Sequence, residues 1–235
     1  MDDQVQDRTV ILTAAHCAYE YGKGFADHAL FIPDQDSTTG AESDQACSND
    51  PYGCWIPAFA VVDQRWTQQA FPDSVPYDYA FYVIPNDVSA HEKGFKHIQD
   101  PGLSELLPDI AEPIPIDWNY DTKGEIITGL GYSFDKDPDF RYCSGTLSGK
   151  RGLPSYENLW IGNCEMTGGS SGGPWMKETD ENGRGVVISV NSWGYTGTPG
   201  MGGPNLSTGE AKCLYERAKT RSLSSNDGYI VSDCS

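Results

Sequence analysis

Basic residues are scarce in this chain. Sixteen Lys and Arg stand against 34 Asp and Glu, a formal charge of −18 over 235 residues. The densest basic stretches, "RGLPSYENLW" and "YERAKTR", are interrupted, whereas a nucleic-acid partner needs clustered Lys and Arg. No nucleic acid is expected, and the acidic surplus reads as a solubility or salt-tolerance feature. Nothing approaches 18 consecutive apolar residues, so no transmembrane helix and no membrane partner are expected. The opening "MDDQVQDRTV" lacks the basic start and apolar core of a signal peptide. None of the seven cysteines forms a C-x-x-C pair, and neither a metal-ligand cluster nor a phosphate-cradling loop is visible. Metal: none; cofactor: none. Helical spacing is thin as well, with "GEAKCLYERAKTR" the best stretch and "GLSELL" a weaker one.

What is present is a series of short apolar or aromatic runs: "TVILTAAHC", "ALFIP", "WIPAFAVV", "DYAFYVIP", "EIITGLGY", "NLWIG" and "GVVISVNSWG". They are rich in Val, Ile, Tyr, Phe and Trp and bounded by Gly, Pro, Asn and Asp, which is the pattern of strands. Many short strands with few helices predict an all-β barrel or sandwich. "PIPIDWNYDTKG" reads as a crossover, placing a boundary near residues 108–122. The halves are taken as 1–115 and 116–235, the second carrying a short C-terminal helix and tail, and together they make one domain.

The stretch "TGGSSGGPW", Thr167–Trp175, sets two serines among four glycines. A Gly/Ser linker would be polar and disordered, but apolar runs flank this one on both sides. A serine hydroxyl becomes a nucleophile when a base takes its proton and an anion steadies that base. The residues also fit G-x-S-x-G, the elbow of α/β-hydrolases. That fold needs its His after the Ser, and all four histidines (His16, His28, His91 and His97) come before Ser171. A subtilisin order needs an Asp ahead of the His. Only Asp2, Asp3 and Asp7 precede His16, although a later His would leave more choice. The order His, Asp, Ser remains open. Its best candidates each sit at the end of a strand-like run: His16 closes "VILTAAHC" behind two small alanines, and Asp78 opens "DYAFYVI". A lone His is most often a packed core residue, and most such Asp residues only cap turns.

Taken together, "LTAAHC", "DYAF" and "GGSSGGP" resemble the trypsin-like serine endopeptidases of the chymotrypsin superfamily, with details closer to the V8-like, glutamyl-endopeptidase-type branch. The likeness runs from about Thr9 to Gly194. It implies two antiparallel six-stranded β-barrels and a secreted, monomeric endopeptidase acting on polypeptides. It also implies a catalytic set of His16 (base, then acid), Asp78 (orienting His16) and Ser171 (nucleophile), with the backbone N–H groups of Gly169 and Ser171 as the oxyanion hole. Ser170 stands where animal trypsins carry an acid that pairs with a freshly cleaved N-terminus, so activation by that ion pair is not expected. The other reading of the same fold is a protease-like binding module without turnover.

The resemblance assigns Ser192, Trp193 and Gly194 to a strand that pairs with substrate backbone. It places Glu165 near the floor of the specificity pocket, which implies a preference for Arg or Lys. Glu165 in solvent is the competing reading. Glutamate-specific relatives carry a His at the place of Ser192, which argues against an acidic preference. Six cysteines allow fifteen pairings. Cys143–Cys164 ranks first, bracing the loop before Ser171, followed by Cys47–Cys54 and Cys213–Cys234. Cys17 is then the odd one, since the family's partner for it lies in a preceding strand. Fifteen residues before His16 are fewer than the family's opening strands need. The expectation is a first barrel incomplete at its N-terminus and a signal peptide further upstream.

Overall fold

The computed structural model describes residues 7–37, 51–87, 106–120, 124–134, 140–149, 158–223 and 228–234. Among these residues thirteen strands dominate: β1 (Arg8–Thr13), β2 (Tyr19–Glu20), β3 (Gly24–Phe25), β4 (Phe59–Asp63), β5 (Ala80–Pro85), β6 (Ile126–Tyr132), β7 (Phe140–Gly149), β8 (Leu159–Gly162), β9 (Pro174–Lys177), β10 (Val186–Val190), β11 (Trp193–Tyr195), β12 (Thr198–Gly203) and β13 (Gly228–Val231). The helices are short: α1 (Ala15–Ala18), α2 (Gln64–Gln68), α3 (Leu107–Ile110) and α4 (Glu210–Thr220). Among the described residues the fold is all-β with one sizeable helix near the C-terminus, as the apolar runs and the stretch "GEAKCLYERAKTR" predict.

Among the described residues the strands form a four-stranded sheet, β1-β5-β4-β13, a seven-stranded sheet, β10-β9-β6-β7-β8-β12-β11, and the small ribbon β2-β3. The first half thus shows a partial barrel whose last strand comes from the far end of the chain. β13 lies parallel to β4, with Gly228 opposite Ala60 and Val231 opposite Asp63. Parallel neighbours need a long connection, and this one spans most of the molecule. Helix α4 presents Ala211, Leu214 and Ala218 inward, the spacing of a single apolar stripe. That stripe shares a core with Phe59, Val61, Phe81 and Val83 of β4 and β5, and with Val187 of β10 and Val231 of β13. A separate cluster of Ile127, Cys143, Leu147, Leu159, Ile161, Trp175 and Ile188 fills the seven-stranded sheet.

Two disulfides are described, Cys143–Cys164 and Cys213–Cys234. Cys54 is also disulfide-bonded, while Cys47 lies outside the described residues. Cys17 is free and exposed. The run "ALFIP" does not form a strand of its own; only an isolated bridge joins Phe31 to Trp55. Prolines at 33, 51 and 57 explain why the pairing stops there, since each removes a backbone donor.

Candidate active site

His16 sits on α1, the single helical turn that ends β1. Ala14 and Ala15 beside it are fully buried, and their small size lets the loop of Ser171 approach. A Cβ built on Gly172 would lie 3.0 Å from the Ala14 amide nitrogen and 2.3 Å from Thr13 Oγ1. Only glycine fits there, and its φ of +80° also belongs to glycine. Asp78 follows the 3-10 turn Val75–Tyr77 and is 3% exposed. A carboxylate that deep requires donors, and it has three. The His16 backbone N–H donates to Oδ1 at 2.9 Å, His16 Nδ1 bonds Oδ2 at 2.8 Å, and Ser192 Oγ donates to the same Oδ2. Burial by itself pulls the His16 pKa down. The Asp78 and Cys17 contacts raise it and together outweigh burial, so the imidazole is held above its ordinary range.

The loop from Gly168 to Gly173 closes the site from the other sheet. Gly169 has φ +98°, a conformation open to glycine. Neither the Gly169 nor the Ser171 N–H meets a backbone acceptor among the described residues. The Gly168 carbonyl accepts from Phe134 N–H at 2.8 Å. A trans peptide points its C=O and N–H in opposite directions, so this bond turns the Gly169 N–H outward. Ser170 is 2% exposed and its hydroxyl donates to Thr167 O at 2.8 Å. Ser171, by contrast, lines a pocket of about 590 Å³ together with Ser192, Trp193, Gly194 and Glu165. Ser171 Oγ makes no hydrogen bond to the imidazole in this structure. His28 lies elsewhere on the surface, and His91 and His97 lie outside the described residues.

Glu165 is exposed at the mouth of that pocket and is the only acidic or basic side chain among its described lining residues. Trp193 and Gly194 belong to β11, the edge strand of the seven-stranded sheet, and Trp193 packs over the bare backbone of Gly202. No group of three or more metal-ligating side chains occurs among the described residues.

Two residues stand out that sequence reasoning had not given these places. Ser192, expected to offer its backbone to substrate, also turns its hydroxyl to Asp78. Asn191, fully buried, joins β10 to the loop of Ser171 by side-chain and backbone bonds. The signal for Asn191 was present: a carboxamide ending the otherwise apolar run "GVVISV" must find partners if it is buried.

No family model and no curated protein sequence matches the chain. Solved structures do. The thermostable serine protease AL20, from an extremophilic microorganism, is 26% identical over 93% of this chain and 87% of its own, with a TM-score of 0.66. The protease Anisep from Arthrobacter nicotinovorans is likewise 26% identical, over 93% and 85%, with a TM-score of 0.68. This is the trypsin-like serine protease fold. A Glu endopeptidase solved in complex with MPD shares that trypsin-like fold at 16% identity and a TM-score of 0.62, covering 90% of this chain and 81% of its own. At that identity the likeness is one of fold alone. In the trypsin-like frame the cleft between the two sheets is where His16, Asp78 and the loop of Ser171 meet.

Proposed function

We propose that the protein is an extracellular serine endopeptidase that works through His16, Asp78 and Ser171 and an acyl-enzyme. The observation that carries this reading is the buried Asp78 carboxylate, which grips both the backbone and the ring of His16. A carboxylate on Nδ1 fixes the tautomer and leaves Nε2 to act on a hydroxyl. Such an arrangement has little purpose in a module that only binds.

In the proposed reaction a peptide adds to the free edge of β11 as an antiparallel strand. Ser171 Oγ attacks the scissile carbonyl carbon while His16 Nε2 takes the hydroxyl proton. Catalytic hydrogen bonds are often long before substrate arrives, and the Ser171–His16 bond forms in the complex. The carbonyl oxygen, now negative, is met by the N–H groups of Gly169 and Ser171. The C–N bond breaks as His16 gives its proton to the leaving amine, and the acyl group stays on Ser171. Water then attacks the ester with His16 as base, releasing the acid and restoring the hydroxyl. Asp78 stabilises the imidazolium throughout. Glu165, the one charged side chain among the described lining residues, favours Arg or Lys ahead of the cut. The disulfides and the likeness to other proteases support an extracellular site of action, and a monomer suffices for the chemistry.

A fluorophosphonate probe tests the assignment. Wild type is expected to be tagged once, at Ser171. Ser171→Ala should abolish tagging and peptide hydrolysis, while Ser170→Ala should keep most of both. The reverse pattern would reassign the nucleophile, and an untagged wild type would favour the binding module.

A further inference from the structure

Which group sets the direction of the Ser171 N–H, given that Ser170 supplies no acid to anchor the loop? Ser170 and Ser171 share one peptide plane, and its C=O and N–H point opposite ways. Whatever holds the Ser170 carbonyl therefore aims the Ser171 N–H. In this chain the carbonyl accepts from two donors: the Gly173 N–H at 3.1 Å, which belongs to the same loop, and, as the one anchor outside that loop among the described residues, the side chain of Asn191. Its Nδ2 donates to Ser170 O at 2.8 Å and to Leu130 O at 2.7 Å, while its Oδ1 accepts from Trp175 Nε1 at 2.7 Å. The orientation of the carboxamide is fixed by chemistry. An indole N–H only donates and backbone carbonyls only accept, so the amide oxygen must face Trp175 and the nitrogen must face the loop.

The surroundings are shaped to this one group. A Cβ on Gly173 would lie 2.7 Å from Asn191 Nδ2 and 2.0 Å from Leu130 O. A Cβ on Gly131 would lie 3.1 Å from Nδ2 and equally close to Ser170 O. The Asn191 backbone adds two bonds, donating to Gly173 O at 2.8 Å and accepting from Gly172 N–H at 2.9 Å. The side chain thus ties β6, β9 and the loop of Ser171 to one point, behind the cleft and out of reach of substrate.

We infer that Asn191 is a positioning residue: by holding the Ser170 carbonyl it presents the Ser171 N–H to the oxyanion, in place of an acid at position 170. This rests on the reading of Ser171 as nucleophile. It touches no reacting atom, so its removal should weaken transition-state stabilisation and leave ground-state binding in place.

The test is kinetic, with active sites titrated by fluorophosphonate so that misfolded enzyme drops out. Removing an oxyanion donor outright costs about 10²–10³ in kcat; releasing a donor that stays in place should cost about 10- to 100-fold. Asn191→Leu and Asn191→Asp, which both lack the two N–H groups, are expected to show that loss in kcat per titrated site, with KM within about two-fold. The inhibition constant of a peptidyl trifluoromethyl ketone, whose adduct carries the oxyanion, should rise by the same factor. The pH inflection set by His16 should not move. If neither variant folds, Trp175→Phe frees the amide oxygen and should give a smaller loss of the same kind. Wild-type kcat and inhibition constant in the variants that fold would overturn the inference while leaving the nucleophile intact. A wild type that the probe does not label would remove the nucleophile assignment, and this inference with it.

Discussion

At Asp78 one buried carboxylate serves three donors, and its hold on His16 has a measurable consequence. The proposed base must be neutral to accept a proton, and the environment raises its pKa above the ordinary value of 6.5. The activity term kcat/KM should therefore climb with pH and reach its midpoint above that value. Asp78→Asn removes the largest of the upward influences and leaves the downward pull of burial. The midpoint should move to lower pH, and kcat should fall by about 10⁴ as the ring loses its tautomer. Stability runs the other way. A group whose folded pKa is raised contributes fully below its unfolded pKa and loses that contribution as pH rises through the folded one. The pair thus stabilises most in mild acid, where activity is lowest. With the His16 side chain 36% exposed, screening keeps this contribution small. An Asp78→Asn profile with an unmoved midpoint would show that another group sets the titration.

At the scale of elements, the C-terminal tail is bound to the first sheet by three independent devices. β13 pairs with β4, Cys213–Cys234 fastens the chain after β13 to α4, and Arg65 of α2 reaches Asp63, Glu210 and the Cys234 carbonyl. Replacing both cysteines by serine opens a loop of about 20 residues and should cost about 3 kcal/mol, read as a lower urea midpoint with an unchanged slope. An unchanged midpoint would mean that β13 and Arg65 hold the tail by themselves. Most strands and α4 were legible in the sequence because their patterns are local: alternating or continuous apolar runs between turn residues, and a stripe at positions 211, 214 and 218. The parallel placement of β13 was not, since a four-residue strand pairing with one more than 160 residues earlier leaves no periodic trace. The one-turn helix under His16 was equally silent. Among the candidate site residues, His16, Asp78 and Ser171 announce themselves by sitting in recognisable motifs. The Ser192–Asp78 bond and the Asn191 clamp depend on which way a side chain faces after folding, and no spacing rule carries that.

For the molecule as a whole, the charge of −18 and the acid at the pocket mouth act in the same sense. A negative surface draws cationic ligands toward the cleft by an effect that fades with ionic strength. The contact with Glu165, once made, is local and persists better. These two contributions separate in a peptide series that varies only the residue before the cut. Arg and Lys peptides should be preferred over the Gln peptide. As salt rises from 0.1 M to 1 M, the screening length drops from about 10 Å to about 3 Å. The preference should shrink over that range yet not vanish, because the pocket contact is shorter than either length. Glu165→Gln should remove the part that survives at high salt and leave much of the salt-dependent part. If instead Arg, Lys and Gln peptides are cut alike at every ionic strength, Glu165 points away from the bound substrate. Specificity must then come from the rest of the lining, where Trp193 and Tyr195 meet edge to face with ring centroids 5.1 Å apart.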